Sequence, residues 1–369
     1  MRDSILILYL TGYTFLIMAE KKTESETSLY RKYRPQAFSA VRGQEHIVSV
    51  LEAAVANDKV GHAYLFSGPR GTGKTSTARI FAQAVGTDPK DLYELDAASN
   101  NGVEDIRSIL DGVSTHPFAS KFKVYIIDEV HMLSKAAFNA CLKTLEEPPP
   151  FVIFILATTE LYKVPETVRS RCQTFEFKKP SRAALKTLAT DIAKEEGATL
   201  APGGAELVAM LGDGSYRDTL SILQKVLTVS SDKKLSEDEV AKVVGAPKGE
   251  SVNAFLTALS GKNIEEALSV FHTCVKSGVE ASLFLMLGIS RIRGVLLLRY
   301  GGAKAKQSVI EQFGEEDTAR LEALAGKDGA AINSAVLAEC ITAYLEMGRA
   351  PIPELPLELA LYRLFTERQ

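Results

Sequence analysis

The chain has 369 residues, a formal net charge of −3, 46% hydrophobic residues and 24% charged ones. That length predicts two or three domains, and the near-neutral balance excludes binding of nucleic acid by bulk charge, so any basic surface must be local. The four cysteines, Cys141, Cys172, Cys274 and Cys340, stand far apart with no CxxC pair, which suits neither a zinc knuckle nor a disulfide framework and fits a reducing cytoplasm.

Residues 4–19, "SILILYLTGYTFLIMA", are apolar but fall short of the ~20 residues a membrane-spanning helix needs. A weakly charged start and the lack of a small-residue cleavage site argue against a signal peptide. Met18 opens "MAEKKTESETS", an ordinary flexible N-terminus. We read 1–17 as lying upstream of the working start codon, 1–27 as a flexible segment, and the chain as having no membrane partner.

From residue 28 short apolar runs alternate with helical stretches, the pattern of an α/β layer. "AYLFSG", "LYELDAAS", "FKVYIIDE", "FVIFILATT" and "TFEF" predict five strands, with helices over "KTSTARIFAQAV", "GVEDIRSILDGV" and "KAAFNACLKTLEE". Beyond Pro180 the strand signal fades and the rest reads as helices, punctuated at "LAPGGAE" and "VGAPKGE". The expected division is an α/β domain over 28–180, a small helical domain over 181–246 and a second helical domain over 247–369.

"GPRGTGKT", Gly68 to Thr75, matches G-x4-G-K-[ST] between a predicted strand and helix. Gly68, Pro69, Arg70, Gly71, Thr72 and Gly73 form a loop whose N–H groups can wrap phosphates at a helix N-terminus. Lys74 would reach the β- and γ-phosphates, and the Thr75 hydroxyl would ligate Mg²⁺. "VYIIDEVH" then closes a buried strand on two carboxylates. Asp128 would hold the Mg²⁺ and Glu129 would polarise the attacking water. His131 makes the box read DEVH, as in helicases; we assign it no catalysis. Thr158 and Thr159 end the next strand, where a hydroxyl can hold the attacking water or simply make a turn. In "GDGSYRDTLSIL" Ser215 can cap a helix with Asp218 at the third position, which sends Arg217 out from the first turn. Arg171, in "ETVRSRCQTFEF", has no evident local partner.

Taken together, "LYRKYRPQAFSAVRGQEHI", "GPRGTGKTS", "DAASNNGVEDIR", "IIDEVHML", "LKTLEEPP", "ATTELYKVPETVRSRC" and "GSYRDTLSIL" resemble the bacterial DNA polymerase III gamma/tau family, the AAA+ ATPase of the replication clamp loader. The motif resemblance spans about residues 28 to 230, and the remainder, ending "PIPELPLELALYRLF", is similar to the family's oligomerisation collar. It implies a five-stranded parallel sheet with helices on both faces, a helical lid and a helical collar.

The resemblance also implies roles for particular side chains. Arg171 is similar to an arginine finger acting in the neighbouring subunit's ATP site, Arg217 to the second sensor acting in cis, and Thr159 to the first sensor. Tyr33, Arg34, Pro35 and Val41 resemble the segment around the adenine. Asn100, Asn101 and Arg107, at a helix start, could contact DNA phosphates without reading sequence; a plain capped helix is the alternative. The implied partners are further copies of the chain, delta-like and delta-prime-like subunits in a pentameric loader, the sliding clamp and primer–template DNA. The implied activity is ATP hydrolysis coupled to clamp loading. DNA-directed DNA polymerase activity would belong to the holoenzyme, with no polymerase site in this chain.

Two departures from the family pattern stand out. The family's four-cysteine zinc module is replaced by "VGTDPKD", so no zinc is expected. The chain also stops at the collar, like the short gamma form without the tau extension. Rival readings are a branch-migration motor and a purely structural loader subunit. "LEEPP" with Ser-Arg-Cys speaks against the first, and the complete phosphate loop against the second.

Overall fold

The computed structural model describes residues 28–230, 233–326 and 331–365; the apolar 4–19 stretch and Met18 lie outside these. α1 (Leu29–Lys32) and α2 (Glu45–Ala56) precede β1 (Ala63–Ser67). There follow α3 (Lys74–Ala84), β2 (Leu92–Asp96), α4 (Val103–Asp111), β3 (Lys123–Asp128), α5 (Lys135–Glu146), β4 (Val152–Thr158), α6 (Glu166–Arg169) and β5 (Gln173–Glu176). The five strands pair in parallel in the order β2-β3-β4-β1-β5. β1 and β4 are buried along their whole length, as strands covered by helices on both faces must be, which is why they read as unbroken apolar runs. One face packs Ile47, Leu51 and Phe81 on the sheet, the other Ile106, Phe138 and Leu145.

This order places β4 between β1 and β3. The phosphate loop after β1 and the carboxylates after β3 therefore flank the threonines that end β4. In the sequence it is β2 that falls between the two motifs, yet β2 lies at the sheet edge.

Past the sheet come α7 (Arg182–Glu195), α8 (Pro202–Leu211), α9 (Tyr216–Val229) and α10 (Glu237–Val244). The helical reading misses one feature here: Thr199–Leu200 (β6) and Lys234–Leu235 (β7) pair in parallel. Two-residue strands carry no alternation, and only their meeting in the folded lid makes them strands. Gly245, at φ 70°, ends α10 in the left-handed region. Leu29 of α1 is buried in this lid's core with Leu188, Ile192 and Leu223, so the first described helix crosses to the lid rather than joining the sheet.

The last seven helices share one core: α11 (Gly249–Ser260), α12 (Ile264–Lys276), α13 (Ala281–Tyr300), α14 (Gly302–Phe313), α15 (Glu315–Ala325), α16 (Ser334–Met347) and α17 (Leu355–Phe365). α13 is long and apolar enough to cross a membrane, but more than half of its most apolar stretch is buried inside the protein, as in a core helix. Its Arg291, 4% exposed, pairs with Asp317 at 2.9 Å and with Glu237 of the lid at 2.8 Å.

Candidate functional site

The loop after β1 has a backbone only glycine tolerates. Gly68, Gly71 and Gly73 have φ of 141°, 71° and 101°, in the region that side chains resist. Space forbids a side chain at two of them: a Cβ on Gly68 would lie 2.4 Å from the Phe177 carbonyl oxygen, and one on Gly71 1.9 Å from Ser215 Oγ. At Gly73, the N-cap of α3, nothing stands within 4 Å of that position. The first turn of α3 therefore opens on a cradle walled by backbone.

Lys74 is 6% exposed and folds back over the loop, its Nζ donating to the carbonyls of Gly68 (2.8 Å) and Pro69 (2.9 Å). Burial lowers its pKa, while the nearby Glu129 and Asp128 carboxylates work to raise it. The Thr72 hydroxyl donates to the Pro69 carbonyl and stiffens the loop.

Thr75 Oγ1 donates to Asp128 Oδ2 at 2.6 Å, so two oxygens from motifs 53 residues apart meet at one point. Such hard oxygen donors, few in number, suit Mg²⁺, which keeps most of its own waters. Glu129 follows with φ 49° and ψ 43°, a conformation that costs a non-glycine residue about 1–3 kcal/mol and persists only where surroundings enforce it. Here its N–H donates to Asp128 Oδ1 (3.0 Å) and its carboxylate accepts from Thr159 Oγ1 (3.1 Å). Thr158 instead faces His131, so of the two threonines only Thr159 bonds Glu129.

The lid closes on this loop directly. Ser215 caps α9, accepting from the Asp218 N–H, which is half of the expected capping box. The next N–H, of Tyr216, donates to the Gly71 carbonyl at 3.0 Å. The cleft at this junction is open to solvent and measures 840 Å³, and Tyr33, Arg34, Pro35, Val41, Arg70 to Thr75, Asp128, Glu129 and Arg217 all line it. The Tyr33 hydroxyl donates to Glu196 of the lid at 2.6 Å. Arg217 lies over the Tyr30 ring, 5.0 Å from its centroid.

Among the lining residues that went unnoticed in the sequence, two pairs stand out. Arg79 pairs with Glu94 through two bonds of 2.7 Å at the cleft edge. Leu188 and Ile192, from one face of α7, supply an apolar wall. Their spacing of four was a legible helical signal; the Arg79–Glu94 meeting was not.

Arg171 is absent from the cleft's lining. Its guanidinium donates to the Thr167 carbonyl at 2.6 Å and pairs with Glu146 at 2.5 Å, with a third of the side chain exposed. Asn100, Asn101 and Arg107 also lie away from the lining. The Asn101 carbonyl accepts the Ser134 N–H at 3.2 Å, and Arg107 pairs with Glu104 at 2.9 Å. Glu104 and Asp105 put negative charge in the first turn of α4. Among the described residues no three His, Cys, Asp or Glu side chains gather as metal ligands.

Comparison with known proteins gives the following. The chain matches the family profile described as DNA polymerase III, delta subunit, over residues 43–102 and 90–181. It is 42% identical over 317 residues to DNA polymerase III subunit tau of Bacillus subtilis, covering 80% of this chain and 56% of that one. With the gamma/tau subunit of Mycobacterium tuberculosis H37Rv the identity is 34% over 361 residues, covering 91% and 62%. With the tau subunit of Escherichia coli K12 it is 38% over 284 residues, covering 71% and 44%. The chain thus spans about half the length of these curated relatives. Among solved structures, the Thermotoga maritima RuvB Holliday junction branch migration motor aligns with a TM-score of 0.50 at 22% identity, over 69% of this chain and 91% of that one. At that identity the likeness is one of fold: an AAA+ module.

Proposed function

We propose that this chain, a relative of the bacterial DNA polymerase III gamma/tau subunits, is the ATP-hydrolysing motor subunit of a replication clamp loader. One observation carries the reading: Lys74, the Thr75–Asp128 pair and Glu129 face a single cleft that the lid closes through the Tyr216 N–H on Gly71. A structural subunit has no use for a strained glutamate held beside a buried lysine.

In this reading the ATP phosphates displace the Gly68 and Pro69 carbonyls from the Lys74 ammonium, and the N–H groups of Gly71 to Thr75 receive them. The base packs among Tyr33, Arg34, Pro35 and Val41. Thr75 and Asp128 hold Mg²⁺, which when bound neutralises phosphate charge. Glu129, aimed by Thr159, takes the proton of the attacking water. Arg217 reaches the γ-phosphate from the lid, so closure of the lid and assembly of the site are one event.

Arg171 serves a neighbour's site, as its absence from its own cleft and its exchangeable contact with Glu146 suit. Residues beyond about 247 form the collar that joins copies of this chain to delta-like and delta-prime-like subunits in a cytoplasmic pentamer, and no zinc takes part. DNA phosphates approach Asn100, Asn101 and Arg107, where Glu104 and Asp105 weaken the attraction. The decisive assay is ATP turnover by the assembled loader with and without sliding clamp and primed DNA. Stimulation by both together is expected. Stimulation by Holliday junctions alone would transfer the chain to the branch-migration motors.

A further inference from the structure

The Glu129 carboxylate has a second neighbour, His131. The imidazole is 6% exposed and stands between two carboxylates: Nδ1 is 3.4 Å from Glu129 Oε2, and Nε2 is 3.2 Å from Glu160 Oε1. Nδ1 also lies 3.0 Å from Thr158 Oγ1, and that hydroxyl accepts the Glu160 N–H at 3.0 Å. Glu160 is gripped on its far side as well, by Lys163 at 2.8 Å and by the Tyr162 hydroxyl.

Glu160 begins a particular piece of chain. From it a short 3-10 turn (Leu161–Lys163) leads through buried Val164 into α6, and Arg171 follows two residues after that helix ends. Backbone bonds fall in two sets, Lys163 and Val164 N–H on the Glu160 and Leu161 carbonyls, then Val168 to Arg171 N–H on the carbonyls of Pro165, Glu166 and Val168. Leu161, Val164 and Val168 join the two sets by packing into one apolar core, and the Glu160 end of the segment lies against the His131 ring.

We infer that His131 is a positioning residue with two ends: one side of the ring fixes Glu129 in its own chain's cleft, and the other fixes Glu160, and with it the segment that presents Arg171 to the neighbouring subunit. The inference rests on the ATPase reading above. Its physical basis is that the Glu129 carboxylate, on a left-handed backbone, accepts from a single hydroxyl, that of Thr159, at Oε2, and a carboxylate held at one point swings about its side-chain torsions. The buried ring, 3.4 Å from the same oxygen, restricts that freedom. Because His131 sits in the 3-10 turn directly after Glu129 (Val130–Met132), a displacement of either carboxylate is passed to the other through one rigid plane. One imidazole thereby links a chain's own water-activating group to the arginine that it lends.

The experiment uses the assembled loader with clamp and primed DNA. His131→Ala is expected to lower kcat about 10- to 100-fold, the scale of a misplaced catalytic group, with ATP affinity within two-fold of wild type. His131→Asn, whose side chain ends near the Nδ1 position, should restore most of that loss; His131→Gln, which reaches towards Nε2, should restore less. Turnover of His131→Ala within two-fold of wild type overturns the inference. So does a joint loss of ATP affinity, melting temperature and turnover that neither amide repairs, since that is the mark of a residue serving the fold alone.

The second end is read in mixed rings. A Lys74→Ala subunit, whose own site is dead, lends Arg171 to an Arg171→Ala neighbour and rebuilds a site. Adding His131→Ala to the Lys74→Ala donor should weaken this rescue several-fold, and equal rescue by both donors overturns the link to Arg171. An inactive wild-type loader would instead sink the ATPase reading, and this inference with it. An active wild type with an indifferent His131→Ala sinks the inference alone.

Discussion

Two buried charges at opposite ends of the sheet show how this fold separates chemistry from support. Lys74, at the carboxyl ends of the strands, has two loop carbonyls for company and a pKa that burial pushes down. Asp91, just before β2 at the other end, is fully buried and saturated. Its carboxylate accepts the N–H groups of Phe118, Ala119 and Ser120 and the Ser120 hydroxyl. Burial works to raise the Asp91 pKa, but these donors outweigh it and hold the carboxyl down at about 2. A charge kept for the fold is satisfied by the fold. On the proposed reading, one kept for a ligand is left with weak partners that a phosphate can replace, and so is poorly stabilised until the ligand arrives.

The sharpest way to break this contrast is Lys74→Ala. ATP turnover should fall to background while the melting temperature stays within a few degrees of wild type; retained turnover removes Lys74 from the site, and a large loss of stability makes it a second Asp91. Arg171→Ala should fold, bind ATP and assemble, yet hydrolyse about 10³-fold more slowly or worse. It should regain activity in rings shared with Lys74→Ala subunits. Absence of rescue, in rings that native mass spectrometry shows to hold both variants, would count against a role in trans. Glu129→Gln should bind ATP normally and turn over at least about 100-fold more slowly, measured by single-turnover hydrolysis.

Asp91→Ala reverses the pattern. It leaves three N–H groups without their acceptor and should cost about 2–4 kcal/mol of stability, with ATP affinity unchanged; denaturant melts beside nucleotide titrations decide it. The smallest effect is in the pH dependence. The folded-state pKa of Asp91, about 2, lies below its ordinary value of 3.8, so its contribution is complete above about pH 4 and is lost as pH falls towards 2. Wild-type stability should drop faster than that of Asp91→Ala across that window. Parallel curves would mean that the carboxylate is not the group that titrates.

The sequence by itself determined whatever depends on neighbours along the chain. Five strands and their helices followed from apolar runs and helical spacing, the loop from Gly68 to Thr75 from glycines whose backbone no other residue adopts, and the cap at Ser215 from a polar side chain one residue before a helix. The tertiary structure alone decided which distant groups meet. Thr75 finds Asp128 because β4 inserts between β1 and β3, and β6 pairs β7 only once the lid has folded. Leu29 crosses to the lid core because the apolar surface to cover lies there. Thr158, the last residue of β4, faces His131, while Thr159, just beyond the strand, turns towards Glu129. Arg171 found a local partner in Glu146, 25 residues earlier, which no spacing announced. Such meetings are set by sheet order and helix packing, which minimise exposed apolar surface over the whole chain at once and so leave no signature in any short stretch of it.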